Sequence, residues 1–566
     1  MPDSDDDAFV SAALSTLDGM LQRHPELATE LGDHRHDDRL TVGTAGYYEE
    51  LARWCGDRLD DLGAIELDRL SPQNRVDAQI LVNQLNLIRF RVNELGEHAW
   101  NPMIANPGRA IYLLLARDFA PLPERLRSVA RRLAAVPEAL AAARAVAGLM
   151  PRVHLETAIG QLSGTAQLIG AELNQRLTDP SPPRREVLSA RLAAAEAIDH
   201  HLQWLRRRLA DSERDSAFRD PRIGAERFAR KLRLTLDVES DASEIVSDAE
   251  ADLARVTGQI AETAARLTGE RPHTQGLVRR VLDTLAADAP DNTTILKLAR
   301  RAFDAQREFV HSRDLVTTYD NDPVEVIEMP EIDRGVAVAY CDPPGPLEAS
   351  PAATFVAVSP APKDWTPERV GSFYREYNRH MVHNLMIHEG MPGHVLQLQH
   401  SRRFAADTPV RTALRSGSFM EGWAVYAEQL MAEHGYPGAG NRDAIRMQQQ
   451  KMQLRMIINA ILDARVHCDG MPEGEAMALM TGRGHQEEAE AAGKWRRALL
   501  TSAQMSTYYV GFTEVNNLAA ELRGRHPAWP ERQVHDMMLA HGSPAVRYLR
   551  TLLPDAAGSR AGSPDS

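Results

Sequence analysis

The chain has 566 residues, a formal net charge of −14 and a composition in which only 5% of residues are aromatic. The acidic balance argues against a nucleic-acid-binding role, because phosphate recognition needs a basic face. The three cysteines lack C-x-x-C spacing, which indicates a reducing compartment and no disulfide framework. No apolar run approaches the roughly 20 residues of a membrane span, and the first residues are acidic, unlike a signal peptide. We therefore expect a cytoplasmic protein with neither nucleic-acid nor membrane partners.

Helical periodicity dominates the chain from about Phe9 to Leu315. Turn signals rich in proline and aspartate separate the predicted helices. The clearest of these helices span residues 123–135, 137–149, 185–209 and 242–267. This part of the chain carries no motif with evident chemistry. We expect residues 1–320 to form a helical N-terminal region.

A different pattern follows in residues 335–358. The segments 335–340 and 354–358 are short and rich in β-branched residues, and a proline-rich stretch at 343–346 lies between them. This pattern predicts a small sheet or hairpin with a connecting loop.

The next segment, HEGMPGH at residues 388–394, carries the chemistry of the chain. It sets His388, Glu389 and His394 close together, and a further carboxylate, Glu421, follows in a later apolar segment. Two histidines, a glutamate beside the first and a distant glutamate form the ligand and base set of a catalytic zinc hydrolase. We therefore predict that His388, His394 and Glu421 bind zinc and that Glu389 is the general base.

The spacing of the two histidines differs from H-E-x-x-H, in which histidines four apart share one helix face. His394 follows His388 by six positions, which on a regular helix leaves the side chains roughly 120° apart. Pro392 and Gly393 lie in between and favour a break, because proline removes a donor and glycine permits unusual backbone angles. Such a break would bring His394 back beside His388. We also expect one amphipathic helix from Phe373 to His388.

Residues 418–430 predict a buried helix, since apolar residues cover most of its surface. Glu421 and Glu428 are seven positions apart and therefore lie within about 20° of each other on one face. Carboxylates in a buried helix need partners. We interpret Glu421 as the third zinc ligand and Glu428 as a carboxylate that holds a ligand histidine or a nearby arginine. Should His394 not be a ligand, His383 or His400 would take its place.

Several motifs give the chain a family resemblance. They are HEGMPGHVLQL, FMEGWAVYAEQL and the C-terminal series LDARVH, RR, SAQMSTYYVG and VHDMMLAHGSP. With them the chain resembles the bacterial family known as DUF885, which is similar in architecture to M32-type carboxypeptidases and more distantly to M3 and angiotensin-converting oligopeptidases. The resemblance runs from His24 to Pro544, nearly the whole chain. It implies a large, mainly α-helical metallopeptidase-like fold with a deep cleft and a small β element beside the metal helix.

The resemblance also implies roles for four C-terminal residues. Tyr508 falls where a phenol would donate a hydrogen bond to a tetrahedral oxyanion, and Arg497 falls where an arginine would clamp a substrate carboxylate. Asp463 and His467 match a D-x-x-x-H element with a supporting role around the ligands.

The chain departs from the family pattern at two places near Tyr508. Ser502 and Ala503 stand where the relatives tend to have Pro-Gly, and Tyr509 directly follows Tyr508. The second departure leaves open which tyrosine is the oxyanion donor.

Together these observations predict a mainly α zinc metallohydrolase that acts as a peptidase on short peptides. Residues 1–320 would form one side of the cleft, residues 321–554 the catalytic region, and residues 555–566 a disordered tail. The oligomeric state is left open, a dimer included. Two alternatives stay open: the same zinc site acting on a non-peptide amide or a biosynthetic intermediate, and a helical interaction protein with a decayed metal site.

Overall fold

A computed structural model describes residues 4–177, 182–330, 338–348, 352–363 and 365–553. Within these ranges the fold is mainly α-helical with a small β-sheet, which confirms the predicted fold class. The predicted disordered tail at 555–566 lies outside the described residues. The same holds for residues 335–337 of the first predicted strand.

The helices follow one another along the chain with few strands between them. The first ten are α1 Ser4–Arg23, α2 Pro25–Leu31, α3 Ala45–Gly63, α4 Pro72–Phe90, α5 Glu97–Trp100, α6 Gly108–Ala116, α7 Leu122–Val146, α8 Arg152–Gln167, α9 Leu173–Arg176 and α10 Pro182–Asp215. The next eight are α11 Ala225–Leu236, α12 Ala242–Thr268, α13 Leu277–Ala286, α14 Ile295–Ser312, α15 Pro367–Glu376, α16 Arg379–Glu389, α17 His394–Ser401 and α18 Val410–Ala413. The last seven are α19 Gly417–Glu433, α20 Arg442–Cys468, α21 Glu473–Ala478, α22 Glu488–Leu500, α23 Ser506–Arg525, α24 Glu531–Leu539 and α25 Val546–Leu552.

The chain divides into two compact units. The first comprises residues 1–227, 344–351 and 407–413, and the second comprises residues 228–343, 352–406 and 414–566. Helices α12 to α14, which the sequence analysis assigned to a region ending at residue 320, therefore belong to the second unit. That residues 1–320 form one side of a cleft stays a prediction.

The first unit is built around α7 and α10, which pack along each other. Helix α7 runs through Pro137, so the prediction of two helices at 123–135 and 137–149 is wrong. Proline removes one helix hydrogen bond, but Leu133, Val136 and Leu140 are buried on either side of it. Burial of these side chains stabilises the helix through the proline.

The second unit contains the predicted catalytic segments. Helix α20 packs along α12 and α23, and α19 packs along α23. The closest approach of α19 and α23 is at Gly422 and Gly511: a Cβ on Gly422 would lie 2.2 Å from the Gly511 carbonyl carbon, and one on Gly511 would lie 2.0 Å from the Ser418 oxygen. Only glycine fits at either position, so this pair fixes how α23 lies on α19.

Within the described residues the sheet has three strands, β1 Val324–Glu328, β2 Ala339–Asp342 and β3 Thr354–Val358, in the order β1-β3-β2. Strand β3 is central and pairs in parallel with β1 and antiparallel with β2, so that Cys341 lies opposite Val356. The predicted small sheet is therefore present, and β2 is an outer strand among the three that the structure describes. The sequence analysis missed β1.

Two helices replace the single predicted helix from Phe373 to His388. Helix α15 ends at Glu376, and the side chain of Asn378 accepts hydrogen bonds from the first amides of α16. An asparagine that caps a new helix competes with continuation of the previous one. The prediction of one helix is therefore wrong, although His388 still lies in the last turn of α16.

None of the described helices combines the length and the apolar character needed to cross a membrane.

The Gly422–Gly511 contact makes a testable prediction about stability. Gly422→Ala should lower the free energy of unfolding by about 1–3 kcal/mol, because the added methyl overlaps the α23 backbone. Gly493→Ala is the matched control: its Cβ would meet nothing within 4 Å on α22, so alanine should stabilise by about 0.5–1 kcal/mol. Denaturant unfolding measures both changes. If Gly422→Ala had the same free energy of unfolding as the wild type, this would contradict the described packing of α19 on α23.

Candidate metal centre

The two predicted histidine ligands meet at a break between α16 and α17. Helix α16 ends at Glu389, α17 begins at His394, and the Met391–Pro392 peptide bond in between is cis. The Gly393 amide donates to the Ile387 carbonyl over 3.0 Å, and a Cβ on Gly393 would lie 2.0 Å from the His388 carbonyl oxygen. The chain can fold back this tightly only with glycine there. As a result the two imidazole rings lie 4.9 Å apart, centroid to centroid.

Glu421, on α19, completes the group. Its Oε2 lies 3.3 Å from His388 Nε2 and 3.6 Å from His394 Nε2. One possible ligand atom from each of the three residues lies within 4.8 Å of the others. Glu421 is 26% exposed, whereas the two histidines are 12% and 10% exposed. The group is therefore partly open on the Glu421 side.

The break is also held directly on α19. The buried Trp423 side chain donates from Nε1 to the Pro392 carbonyl over 2.9 Å. Because Trp423 and Glu421 belong to the same turn of α19, this bond fixes the break relative to the carboxylate that faces both histidines.

Glu428 holds the ring of His388 from behind. Its Oε1 lies 2.7 Å from His388 Nδ1, its Oε2 accepts from the Asn384 amide over 2.6 Å, and its side chain is only 1% exposed. A carboxylate can only accept, so Nδ1 carries a proton and Nε2 is directed at Glu421. The sequence predicted that Glu428 holds a histidine or a nearby arginine, and in the structure its partner is His388. The sequence analysis missed Asn384, which lies one turn before His388.

Electrostatics couple these groups strongly. Burial lowers the pKa of His388, but hydrogen bonds to Glu421 and Glu428 outweigh it and raise that pKa well above its usual value. Burial raises the pKa of Glu421, but its bonds to His388 and His394 hold that pKa far below the usual value. Glu421 is therefore ionised at neutral pH.

Glu389 lies beside the histidines at the end of α16 and touches the sheet. Its Oε2 accepts a hydrogen bond from the Cys341 backbone amide of β2 over 3.0 Å. Burial raises the pKa of this carboxyl, although the neighbouring histidines lower it. The β2 contact fixes the direction of the carboxylate. Sequence reasoning missed Cys341, because its contribution comes from the backbone and carries no side-chain signal.

The structure distinguishes the two adjacent tyrosines. The negative charge of Glu421, and then burial, raise the pKa of Tyr508, so this phenol lies in the field of the cluster and keeps its proton at neutral pH. The Tyr509 hydroxyl instead donates to Asp252 of α12 over 3.0 Å. Tyr508 is thus the tyrosine that faces Glu421.

Arg497 lies against Tyr508 and shares its guanidinium between two partners. Nε and Nη2 donate to Gln504 Oε1 over 3.0 and 2.7 Å, and Nη2 lies 3.3 Å from the Tyr508 hydroxyl. This geometry positions the phenol. The sequence analysis had assigned Arg497 only to a substrate carboxylate.

Asp463 and His467 hold the segment that leads into α23. The fully buried Asp463 accepts from the Ala503 and Ser506 amides over 3.0 and 2.9 Å and from the Ser506 hydroxyl over 2.9 Å. His467 Nε2 lies 3.0 and 2.8 Å from the carbonyls of Ala498 and Thr501. Both residues thus contact the segment that leads to Tyr508, whereas the sequence analysis placed them around His388 and His394.

The two other histidines considered as ligands are engaged elsewhere. His383 Nδ1 lies 2.9 Å from the Tyr436 hydroxyl, and His400 Nε2 lies 2.9 Å from the Thr317 carbonyl.

The departure of the chain at Ala503 has a local cost that can be measured. Ala503 has φ +61°, in the left-handed region where a residue with a Cβ is disfavoured by roughly 1–2 kcal/mol. Ala503→Gly should therefore raise the free energy of unfolding by up to about 1 kcal/mol, after the greater flexibility of unfolded glycine is subtracted. Ala498→Gly, in the interior of α22, should lower it by about 1 kcal/mol. Equal losses in both variants would show that Ala503 is not strained.

Comparison with known proteins now identifies the family. Residues 25–553 match DUF885, described as a bacterial protein family of unknown function, so the chain belongs to that family. A solved structure described as "a putative lipoprotein of unknown function" from Shewanella oneidensis superposes with a TM-score of 0.82 at 28% identity, over 96% of this chain and 99% of that one. A second, "the putative lipoprotein from Colwellia psychrerythraea", has a TM-score of 0.79 at 15% identity, over 97% and 98% of the two chains. No curated protein sequence matches the chain significantly.

Proposed function

We propose that this DUF885 protein is a zinc-dependent hydrolase and that its substrates are short peptides. One observation carries the proposal: the Nε2 atoms of His388 and His394 both face Oε2 of Glu421, at 3.3 and 3.6 Å. That the protein lies in the cytoplasm stays a prediction. That it has neither nucleic-acid nor membrane partners also stays a prediction, and its oligomeric state stays open.

The two distances from Glu421 Oε2 to the histidine Nε2 atoms, 3.3 and 3.6 Å, are near the spacing of atoms that share one zinc ion. Zinc bonds of about 2.0–2.1 Å in tetrahedral geometry leave their ligand atoms roughly 3.3–3.4 Å apart. A charge-assisted hydrogen bond between an imidazolium and a carboxylate would be shorter, about 2.7–2.9 Å. Two imidazole nitrogens and one carboxylate, with a partly open side, are also the ligand set of catalytic zinc sites. The residues present therefore fit the metal, and His388, His394 and Glu421 would hold it.

The chain's own residues supply the acid–base chemistry. Zinc, when bound, polarises the scissile carbonyl and lowers the pKa of water. Glu389 takes a proton from the attacking water and later delivers it to the leaving amine. Its bond to Cys341 fixes the carboxylate in direction, and burial raises its pKa toward the range in which a carboxylate exchanges protons at neutral pH. Glu428 keeps His388 in one tautomer throughout.

Tyr508 stabilises the transition state. Its phenol keeps its proton next to the negative Glu421, so it can donate a hydrogen bond to the oxyanion that develops on the carbonyl. Arg497 contacts the phenol and is itself held by Gln504. The Nη1 group of Arg497 remains for a substrate carboxylate, the role that the resemblance to M32-type carboxypeptidases and M3 oligopeptidases implies.

The preference for peptides rests on the resemblance to M32-type carboxypeptidases and M3 oligopeptidases and on Arg497. The Arg497 guanidinium lies 3.3 Å from the Tyr508 hydroxyl. A peptide carboxylate at this guanidinium would bring one of the amide bonds of the peptide close to the histidine–glutamate cluster. Digestion of a library of short peptides by the zinc-loaded protein, followed by mass spectrometry, tests this preference. Zinc-loaded protein that cleaves none of them would contradict the peptide assignment and leave a non-peptide amide as substrate.

The metal assignment predicts the zinc content of purified variants. The wild-type protein should carry about one zinc per chain, and His388→Ala and His394→Ala should each lose most of it, because two protein ligands bind zinc far more weakly than three. His383→Ala and His400→Ala are matched controls on the same two helices and should keep the metal. Inductively coupled plasma mass spectrometry of folded protein measures all four. If His394→Ala kept its full zinc content, His394 would not be a zinc ligand and the six-residue spacing would not belong to the site.

The roles of Glu389 and Tyr508 predict kinetic changes without loss of metal. Glu389→Gln can still accept the Cys341 hydrogen bond but not a proton, so kcat should fall by about 10²–10⁴ at unchanged zinc content. Tyr508→Phe should lower kcat by roughly 10²–10³ with little change in KM, since the oxyanion contact forms in the transition state.

Two variants serve as controls for these changes. Tyr509→Phe breaks only the bond to Asp252 and should keep the wild-type kcat. Glu421→Gln should instead lower zinc affinity. The assignment of Tyr508 would be overturned if Tyr509→Phe lowered kcat more than Tyr508→Phe does. The assignments of Glu389 and Glu421 would be overturned if Glu389→Gln lost zinc while Glu421→Gln kept it.

A further inference from the structure

A second polar cavity lies within the second unit, where α12, α19 and α20 converge. Its volume is about 380 Å³, within the range of small-molecule sites. Each helix contributes residues three or four positions apart, which share one helix face. They are Arg255, Gln259, Glu262, Thr263 and Arg266 on α12, Gln429, Ala432 and Glu433 on α19, and Arg446, Gln449, Gln450 and Gln453 on α20.

The cavity is distinct from the histidine–glutamate cluster. Gln429 follows Glu428 directly on α19, and adjacent residues of a helix point about 100° apart. Glu428 faces His388, whereas Gln429 is bonded to Gln453 of α20 over 2.8 Å and to Glu433 over 2.9 Å. The two groups therefore use different faces of one helix.

Two buried amides with unused hydrogen-bonding atoms line the cavity. Gln449 and Gln450 are 3% and 5% exposed, and Gln449 Nε2 and Gln450 Oε1 have no hydrogen-bond partner among the described residues. A buried polar atom without a partner costs about 1–3 kcal/mol. The neighbouring Gln448 is also buried and unpartnered but does not line the cavity. The distinguishing feature of Gln449 and Gln450 is that a ligand in the cavity can reach them.

The charges around the cavity divide into paired and unpaired groups. Arg255 bonds to Asp252 and Gln259, and Arg266 bonds to Asp443 and Thr263. Two opposite charges remain, Arg446 on α20 and Glu262 on α12, which form no hydrogen bond or ion pair within the described part of the chain.

We propose that this cavity binds a small zwitterion, a free α-amino acid or a dipeptide. Arg446 receives the carboxylate through charge-assisted hydrogen bonds, and Glu262 receives the ammonium group. Gln449 Nε2 and Gln450 Oε1 provide a donor and an acceptor for an amide of the ligand, which is the peptide bond of a dipeptide or the side chain of glutamine. A polyanion is disfavoured, because Glu262 and Glu433 line the same cavity. Binding here does not depend on the proposed hydrolytic activity.

Isothermal titration calorimetry on the full-length protein tests this proposal, with L-glutamine and glycylglycine as probes. We expect saturable binding at concentrations up to about 10 mM. N-acetyl-L-glutamine amide, glucose and inorganic phosphate, which lack one or both charges of the zwitterion, should not bind. Equal binding of the neutral derivative or of glucose would overturn the zwitterion assignment, and so would the absence of heat from both probes.

Variants locate the site. Arg446→Gln should weaken binding about tenfold or more, and Gln449→Leu several-fold, because each removes a direct contact. Gln448→Leu is the matched control: it removes an equally buried amide that does not line the cavity and should leave affinity unchanged. Thermal unfolding of each variant separates folding from binding. Affinity that persists in Arg446→Gln but disappears in His388→Ala would move the ligand to the histidine–glutamate cluster and overturn the proposal.

Discussion

The tight return of the chain between α16 and α17 is the constraint on which the candidate site depends. His388 and His394 would point in different directions on a continuous helix. Gly393 allows the backbone to pass within contact of the His388 carbonyl, where any Cβ would overlap it. This return puts both Nε2 atoms on one oxygen of Glu421. Without it His394 would not reach Glu421, and His388 alone would face that carboxylate.

Helix α19 then organises what surrounds this return. Trp423 holds the Pro392 carbonyl, Glu421 faces the two histidines, and Glu428 holds His388 from the buried side. Gly422 lets α23 approach closely enough for Tyr508 to enter the field of Glu421. About two turns of α19 thus set the positions of the two histidines, of the buried Glu428 and of the phenol.

The parts of this arrangement that follow a local rule could be predicted from the sequence. The position of Glu428 behind a histidine followed from its seven-residue spacing from Glu421 and from the need of a buried carboxylate for a partner. The break at Pro392–Gly393 followed from the backbone properties of those two residues. Local rules also failed where two of them competed. Pro137 did not end α7, because burial on both sides outweighed one lost hydrogen bond. Asn378 divided a helix that apolar spacing alone predicted to be continuous.

Long-range contacts could not be predicted in this way. The choice between Tyr508 and Tyr509 depends on how α23 lies on α19 and α12, which no local pattern encodes. The contact of Cys341 with Glu389 comes from a backbone amide 48 residues away along the chain. Asp463 and His467 carried recognisable chemistry, yet their hydrogen bonds to the segment before Tyr508 depend on the packing of α20 against α22 and α23.

X-ray absorption spectroscopy at the zinc edge of the purified protein tests the central claim most directly. The account predicts two imidazole nitrogens and one carboxylate oxygen at about 2.0–2.2 Å, with the remaining position taken by a light atom from solvent. The account would be contradicted by sulfur ligands at about 2.3 Å or by a coordination shell with a single imidazole. It would also be contradicted by protein that binds no zinc when the metal is supplied.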